Sequence, residues 1–188
     1  MTDKSGRIDL PTLETERLLL RRLRDSDLED LFAFASNPVV ADYLSWEPHR
    51  SYDDTQAFLR HVLQSYRKGD LATWGIEHRE DRKVIGTAGF VTWYRHDARA
   101  EIAYAIGREY WEQGYATEAV SAIIVYGFET MQLNRIEARC IVDNVASARV
   151  MEKARMRYEG TLREHMLVKG THRNFHMYSI LKREYKVL

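Results

Sequence analysis

The chain has a single cysteine, Cys140, and only three prolines among its 188 residues, and its basic and acidic side chains cancel at 28 each. One cysteine cannot form an internal disulfide, so the expected compartment is a reducing cytoplasm. Zero net charge argues against a surface built to grip nucleic acid or an acidic membrane. The longest apolar runs, such as Ile123-Ile124-Val125-Tyr126, fall far short of the ~20 residues of a membrane span. The first residues, MTDKSGRIDLPTLE, have no apolar stretch of the signal-peptide kind. Low-complexity tracts and internal repeats are also missing, which excludes disordered and solenoid architectures. A hydrophobic fraction of 45% in a chain of this length instead describes one folded domain.

Residues 1–14 read as a loose lead-in and 15–188 as the domain. Arg17 to Leu23 has strand length, and Asp25 or Ser26 offers an N-cap to a helix carrying Leu28, Leu31, Phe32 and Ala35 that ends at Asn37-Pro38. Asp53 and Asp54 open a second helix through Phe58, Val62 and Tyr66, closed by Gly69-Asp70. The stretches 71–77 and 83–93, separated by a charged turn, suit a β-hairpin, and 99–106 alternates as a third strand. Between Gly114 and Met131 the apolar residues recur at i, i+3, i+4 and i+7, the stripe of an amphipathic helix. A strand through Ile136, Ala138, Cys140 and Val142, a short helix from about Asn144 and two final strands complete the chain. The order β-α-α-β-β-β-α-β-α-β-β predicts an α/β fold with a mixed sheet of about seven strands.

Chemistry concentrates where the third strand runs into the amphipathic helix through Gln113, Gly114, Tyr115, Ala116 and Thr117. A helix start presents unpaired amides and the positive end of a dipole, and small residues let anion oxygens approach the backbone. Neither a P-loop nor a Gly-x-Gly-x-x-Gly string occurs, so the junction suits a pyrophosphate of another kind, unless Gly114 merely permits a tight turn. Strand alternation puts Glu101 on one face with Ala103 and Ala105, leaving room for a ligand beside a carboxylate that could act as a general base. The plainer alternative pairs Glu101 with a surface arginine such as Arg99. Asn144 and Ser147 share a face of a first helical turn, where Asn144 also suits an N-cap. His172 and His176 fall in a strand-like run with no third ligand spaced for zinc, so no metal is expected. Cys140 alternates with Ile136 and Ala138 as a core residue.

Several blocks together resemble the GNAT (Gcn5-related N-acetyltransferase) superfamily, and within it the group that acetylates N-termini of ribosomal proteins (RimJ/RimL type). These are Glu14-Thr-Glu-Arg-Leu-Leu-Leu-Arg-Arg-Leu, Ile85-Gly-Thr-Ala-Gly-Phe, Glu101-Ile-Ala-Tyr-Ala-Ile, Tyr110-Trp-Glu-Gln-Gly-Tyr-Ala-Thr-Glu-Ala, Asp143-Asn-Val-Ala-Ser-Ala-Arg-Val-Met-Glu-Lys and Tyr158-Glu-Gly-Thr-Leu-Arg. The resemblance implies helices on both faces of the sheet and acetyl-CoA as co-substrate. Ile106, Gln113, Gly114, Tyr115, Ala116, Thr117, Asn144, Ser147 and Lys153 would hold it, with the pantetheine arm between two diverging strands. It further implies Ser147 as donor to the departing thiolate, because the tyrosine usual in the superfamily falls at Met151, and it places Trp46, His49, Trp93 and Tyr94 beside the acceptor amine. Lys153-Ala-Arg155-Met156 departs from the usual Lys-x-Gly-Phe, so Arg155 replaces a glycine at a turn.

The expected activity is acetyl transfer to a primary amine, foremost a protein N-terminus. A small amine, such as an antibiotic, polyamine or amino sugar, is the direct rival, and an acetyl-CoA sensor without turnover is the rival of another class. A monomer or homodimer with no nucleic-acid or membrane partner is expected.

Overall fold

The structure is a computed structural model that describes residues 10–70 and 73–185. Its strands and helices are β1 (Leu13–Glu14), β2 (Leu18–Arg21), α1 (Leu28–Ala35), α2 (Pro38–Ala41), α3 (Tyr52–Lys68), β3 (Thr73–His78), β4 (Lys83–Tyr94), β5 (Arg99–Ile106), α4 (Tyr115–Glu129), β6 (Arg135–Ile141), α5 (Val145–Lys153), β7 (Arg157–Val168) and β8 (Thr171–Leu181). They build one eight-stranded sheet of order β1-β2-β3-β4-β5-β6-β8-β7. Every neighbouring pair is antiparallel except β5 with β6. That parallel pair needs a crossover, and α4 is the helix that makes it.

The mixed α/β architecture agrees with the sequence pattern, with two additions. Leu13 and Glu14, expected in the lead-in, pair with Leu20 and Leu19 as a short edge strand, and Leu10 before them is buried. Two residues carry no readable periodicity, so backbone pairing alone makes this strand; residues 1–9 lie outside the described part. Asn37-Pro38, expected only to stop a helix, also starts α2: the Asn37 side chain accepts from the Val39 amide at 3.0 Å, and Pro38 takes the first helical position, where its missing N–H costs nothing. The first helix begins slightly later than expected, at Leu28, after a 3-10 turn over Asp25–Asp27. Residues 71–72, at the start of the expected hairpin, lie outside the described residues.

Alternation along β5 assigns the two faces. Ala100, Ile102 and Ile106 join α4 and α5 in the larger core, with Ile123, Val120, Ile136 and Met151 fully buried. Ala105, of opposite parity, packs with Leu31 and Phe34 of α1 and Leu59 and Val62 of α3 in a second core. Helices therefore cover both faces. Each buried Leu or Ile stabilises the fold by roughly 1.5–3 kcal/mol. α3 closes at Gly69, which takes the left-handed conformation at φ 69° and donates back to Tyr66 O. No helix among the described residues is long and apolar enough to cross a membrane.

Candidate active site

The ladder between β5 and β6 lasts only three residue pairs, Arg99–Arg135, Ala100–Ile136 and Glu101–Glu137. Beyond them β5 continues to Ile106 paired with β4, and β6 continues to Ile141 paired with β8. The sheet thus opens into a wedge whose two inner edges offer backbone groups to a third, extended chain. A pantetheine arm, with its two amides, has the donors and acceptors such edges require.

At the mouth of this wedge the chain leaves β5 and enters α4. Gly114 caps the helix in the left-handed region at φ 85°, a conformation that a side chain disfavours. The first helical bond runs from Glu118 N to Gly114 O, so the amides of Tyr115, Ala116 and Thr117 have no partner within the helix. Arg17 braces the turn. Its guanidinium donates to Gln113 O at 3.0 Å, pairs with the Glu118 carboxylate at 2.7 Å and lies over the Tyr115 ring. Burial alone would raise the Glu118 carboxyl, but bonds from the Thr15 hydroxyl and the Arg17 amide and guanidinium outweigh it and hold the group below its ordinary value. The free amides, the exposed glycine and the braced loop fit a pyrophosphate.

Glu101 is buried, and its partner is Arg139 of β6. Arg99, the alternative named from sequence, turns instead to Glu137 at 3.0 Å. The parallel register sets glutamate beside glutamate and arginine beside arginine, an unfavourable arrangement that the side chains relieve by pairing diagonally. Glu137 also takes Arg135 at 2.8 Å. Burial pushes the Glu101 carboxyl above its ordinary value; Arg139 opposes that shift and Glu137 adds to it. Ala103, next on the same face, is exposed. The strip beside Glu101 is bounded by the β7–β8 hairpin, whose Lys169 reaches across to donate to Ala41 O of α2 at 2.7 Å.

Asn144 is the N-cap of α5, its Oδ1 accepting from the Ser147 amide at 3.0 Å, as the plainer reading had it. The Ser147 hydroxyl lies 2.8 Å from the hydroxyl of Tyr104, which rises from the diverging part of β5. Met151 is fully buried. Lys153 is exposed in the last turn of α5. Ile106 sends its side chain into the larger core and its carbonyl to the Trp111 indole N–H at 2.6 Å. Trp46, half-buried, packs against the second core, and His49 stands beside Trp46 and Phe58, its ring pairing with Thr55 Oγ1 at 2.9 Å and its pKa lowered by burial. Tyr94 lies opposite Arg99, on the Glu101 face, and is stacked by that arginine. Trp93 is not brought to Glu101: a bulge between Phe90 and Thr92 sets it opposite Ala100, on the face of the larger core. His172 and His176 both lie in β8. Cys140 is buried and its thiol is pushed up to about 11 by burial, unsuited to nucleophilic work.

The wedge, the amide cradle and the buried carboxylate together are what an acyl-CoA enzyme needs, and comparison with known proteins decides the family. The profile of the acetyltransferase (GNAT) domain matches residues 17–157. The chain belongs to the GNAT acetyltransferase family. It is an acetyl-CoA-dependent N-acetyltransferase. Among curated relatives, the N-acetyltransferase YoaA of Bacillus subtilis is 38% identical over 172 residues, covering 92% of this chain and 97% of that protein. The [ribosomal protein uS5]-alanine N-acetyltransferase of Escherichia coli is 26% identical over 171 residues, covering 86% of each chain. Among solved structures, a GNAT acetyltransferase from Bacillus anthracis superposes with TM-score 0.83 at 28% identity, covering 93% of this chain and all of that one.

Two residues that contact the expected site residues were not anticipated from the sequence: Arg139, which pairs with Glu101, and Tyr104, which meets Ser147. Arg139 alternates with Glu137 along β6, but only the β5–β6 adjacency brings it to Glu101. For Tyr104 a cue existed: it is the one polar tip on the buried stripe Ile102-Tyr104-Ile106.

Proposed function

We propose that the acceptor is the α-amino group of a protein or peptide N-terminus. The carrying observation is charge balance beside an accessible strand: Ala103 is exposed next to Glu101, and both carboxylates there are held by arginines, Glu101 by Arg139 and Glu137 by Arg99 and Arg135. A polyamine would require several uncompensated carboxylates. A peptide needs one proton acceptor and an extended strip to lie along. The uS5-alanine acetyltransferase among the relatives supports this reading.

Acetyl-CoA supplies an acetyl group activated as a thioester. In our reading its pyrophosphate meets the amides of Tyr115, Ala116 and Thr117, with Gln113 and Gly114 leaving their approach open and Lys153 adding positive charge nearby. Asn144 shapes the turn over the wedge. An amine attacks only when neutral, and an α-amine with pKa ~8 needs less help than a lysine near ~10.4. Glu101 takes the amine proton through a water molecule. The C–N bond forms, the C–S bond breaks with its electron pair passing to sulfur, and Ser147 donates a hydrogen bond to that sulfur. Trp46, His49 and Tyr94 border the acceptor, and the buried Cys140 suits a reducing cytoplasm.

The test is thiol release from acetyl-CoA across peptides with free N-termini, Nα-blocked lysine peptides, polyamines and aminoglycosides, with mass spectrometry locating the acetyl group. Transfer to free N-termini at the highest kcat/KM is expected. A polyamine or aminoglycoside acetylated more efficiently than every peptide would overturn the peptide reading.

A further inference from the structure

Tyr104 stands out as a hydroxyl enclosed by the larger core. Its phenol reaches the first turn of α5, where Ser147 offers two partners: the backbone carbonyl at 3.1 Å and Oγ at 2.8 Å. These two residues are 43 positions apart and join β5 to α5 beside the gap where β5 leaves β6. A phenylalanine would fill the same apolar space, so the hydroxyl itself calls for a role. Met151, one turn along α5, is sealed in the core and can hold no group at the gap.

We infer that Tyr104 is a positioning residue: it holds Ser147 Oγ over the wedge and polarises it toward the sulfur of coenzyme A. The inference rests on the reading of Ser147 given above. In this arrangement the single phenol proton is shared between the Ser147 carbonyl and Ser147 Oγ, so the serine proton stays free to point at sulfur, and hydrogen bonds in series strengthen each other. No proton leaves the serine. The sulfur departs as thiolate carrying the electron pair of the broken C–S bond, and the proton lost by the amine goes through Glu101 to solvent. Burial holds the Tyr104 phenol well above its ordinary pKa, so it stays a donor throughout the working range.

Binding reads this pair without catalysis. Coenzyme A ionises at its thiol and acetyl-CoA does not. A donor aimed at sulfur lowers the pKa of the bound thiol below that of free coenzyme A, so affinity for coenzyme A rises with pH between the two values while affinity for acetyl-CoA stays level. Calorimetry across pH should show this for the native protein. Tyr104→Phe should return the bound thiol about one unit toward its free value and lower kcat about tenfold with little change in the KM for acetyl-CoA. Adding Ser147→Ala should bring no further loss beyond Ser147→Ala alone, because tyrosine acts through serine.

Uniform incorporation of 3-fluorotyrosine, a stronger donor, provides a second arm should Tyr104→Phe melt early. It should lower the bound-thiol pKa further, and only when Ser147 is present. If Ser147→Ala raises the bound-thiol pKa but Tyr104→Phe does not, the tyrosine merely packs and the inference is wrong, while the serine reading stands. If neither variant moves it, both are wrong.

Discussion

Arg139 holds both carboxylate oxygens of Glu101, with Nε 2.7 Å from Oε1 and Nη2 2.9 Å from Oε2. A planar guanidinium fixes the plane of the carboxylate as a lysine could not, and it leaves the outer lone pairs free for a water. Arg139 also reaches His165 of β7 at 2.7 Å, which ties the clamp to the hairpin flanking the strip.

Glu101→Gln keeps the shape and removes the proposed base. At neutral pH kcat/KM should fall by something like the ~10²-fold typical of a positioned base. With an α-amine acceptor, raising the pH should restore part of the rate, since the amine then loses its proton unaided. A variant with native rates across the whole pH range would reduce Glu101 to a structural ion pair.

Arg139 sets where Glu101 titrates. Because burial raises the Glu101 carboxyl, the acid limb of the native kcat/KM profile should lie above the usual carboxylate range near ~4.3. Arg139→Gln removes the charge that favours the ionised form, so the limb should move to higher pH by about one unit. Arg139→Lys keeps the charge and loses the fork, so the limb should stay while kcat drops. A limb indifferent to both changes would mean that another group limits the rate at low pH.

Gly114→Glu sets a carboxylate beside the α4 amides, the proposed phosphate site. Calorimetry should find acetyl-CoA affinity at least tenfold weaker, about 1.4 kcal/mol. Gly114→Ala separates charge from strain: the left-handed φ costs it stability, and its Cβ would sit 3.4 Å from Arg17, yet it adds no charge. Equal affinity in a folded Gly114→Glu protein would move the phosphate site elsewhere.

Arg155 sits at φ 64°, where the helix α5 ends in a Schellman turn: Arg155 N donates to Glu152 O and Met156 N to Met151 O, both at 2.9 Å. An arginine adopts this conformation at a cost of about 1 kcal/mol that glycine avoids. Arg155→Gly should therefore raise Tm by roughly 2–4 °C in a chain of this size, with kinetics unchanged. A lower Tm would mean that the arginine side chain contributes more than its backbone costs.

Local patterns were enough to specify most of the elements. The i, i+4 stripe of α4, the alternation of β5 and the Gly114 junction are read from neighbours within one or two turns, and a helix or strand answers to neighbours first. The amide cradle was legible for the same reason, since a helix start carries its free N–H groups wherever the helix lies. Tertiary structure decided what depends on register and adjacency. The bulge between Phe90 and Thr92 turned Trp93 away from Glu101, because one extra residue reverses the parity of everything after it. The cation facing Glu101 could not be chosen from sequence either: Arg99 stands two residues away on the same face, but the parallel pairing gives it Glu137 and brings Arg139 from 38 residues along the chain. Tyr104 and Ser147 meet only because α5 packs over the place where β5 and β6 part, a closeness that no spacing along the chain encodes.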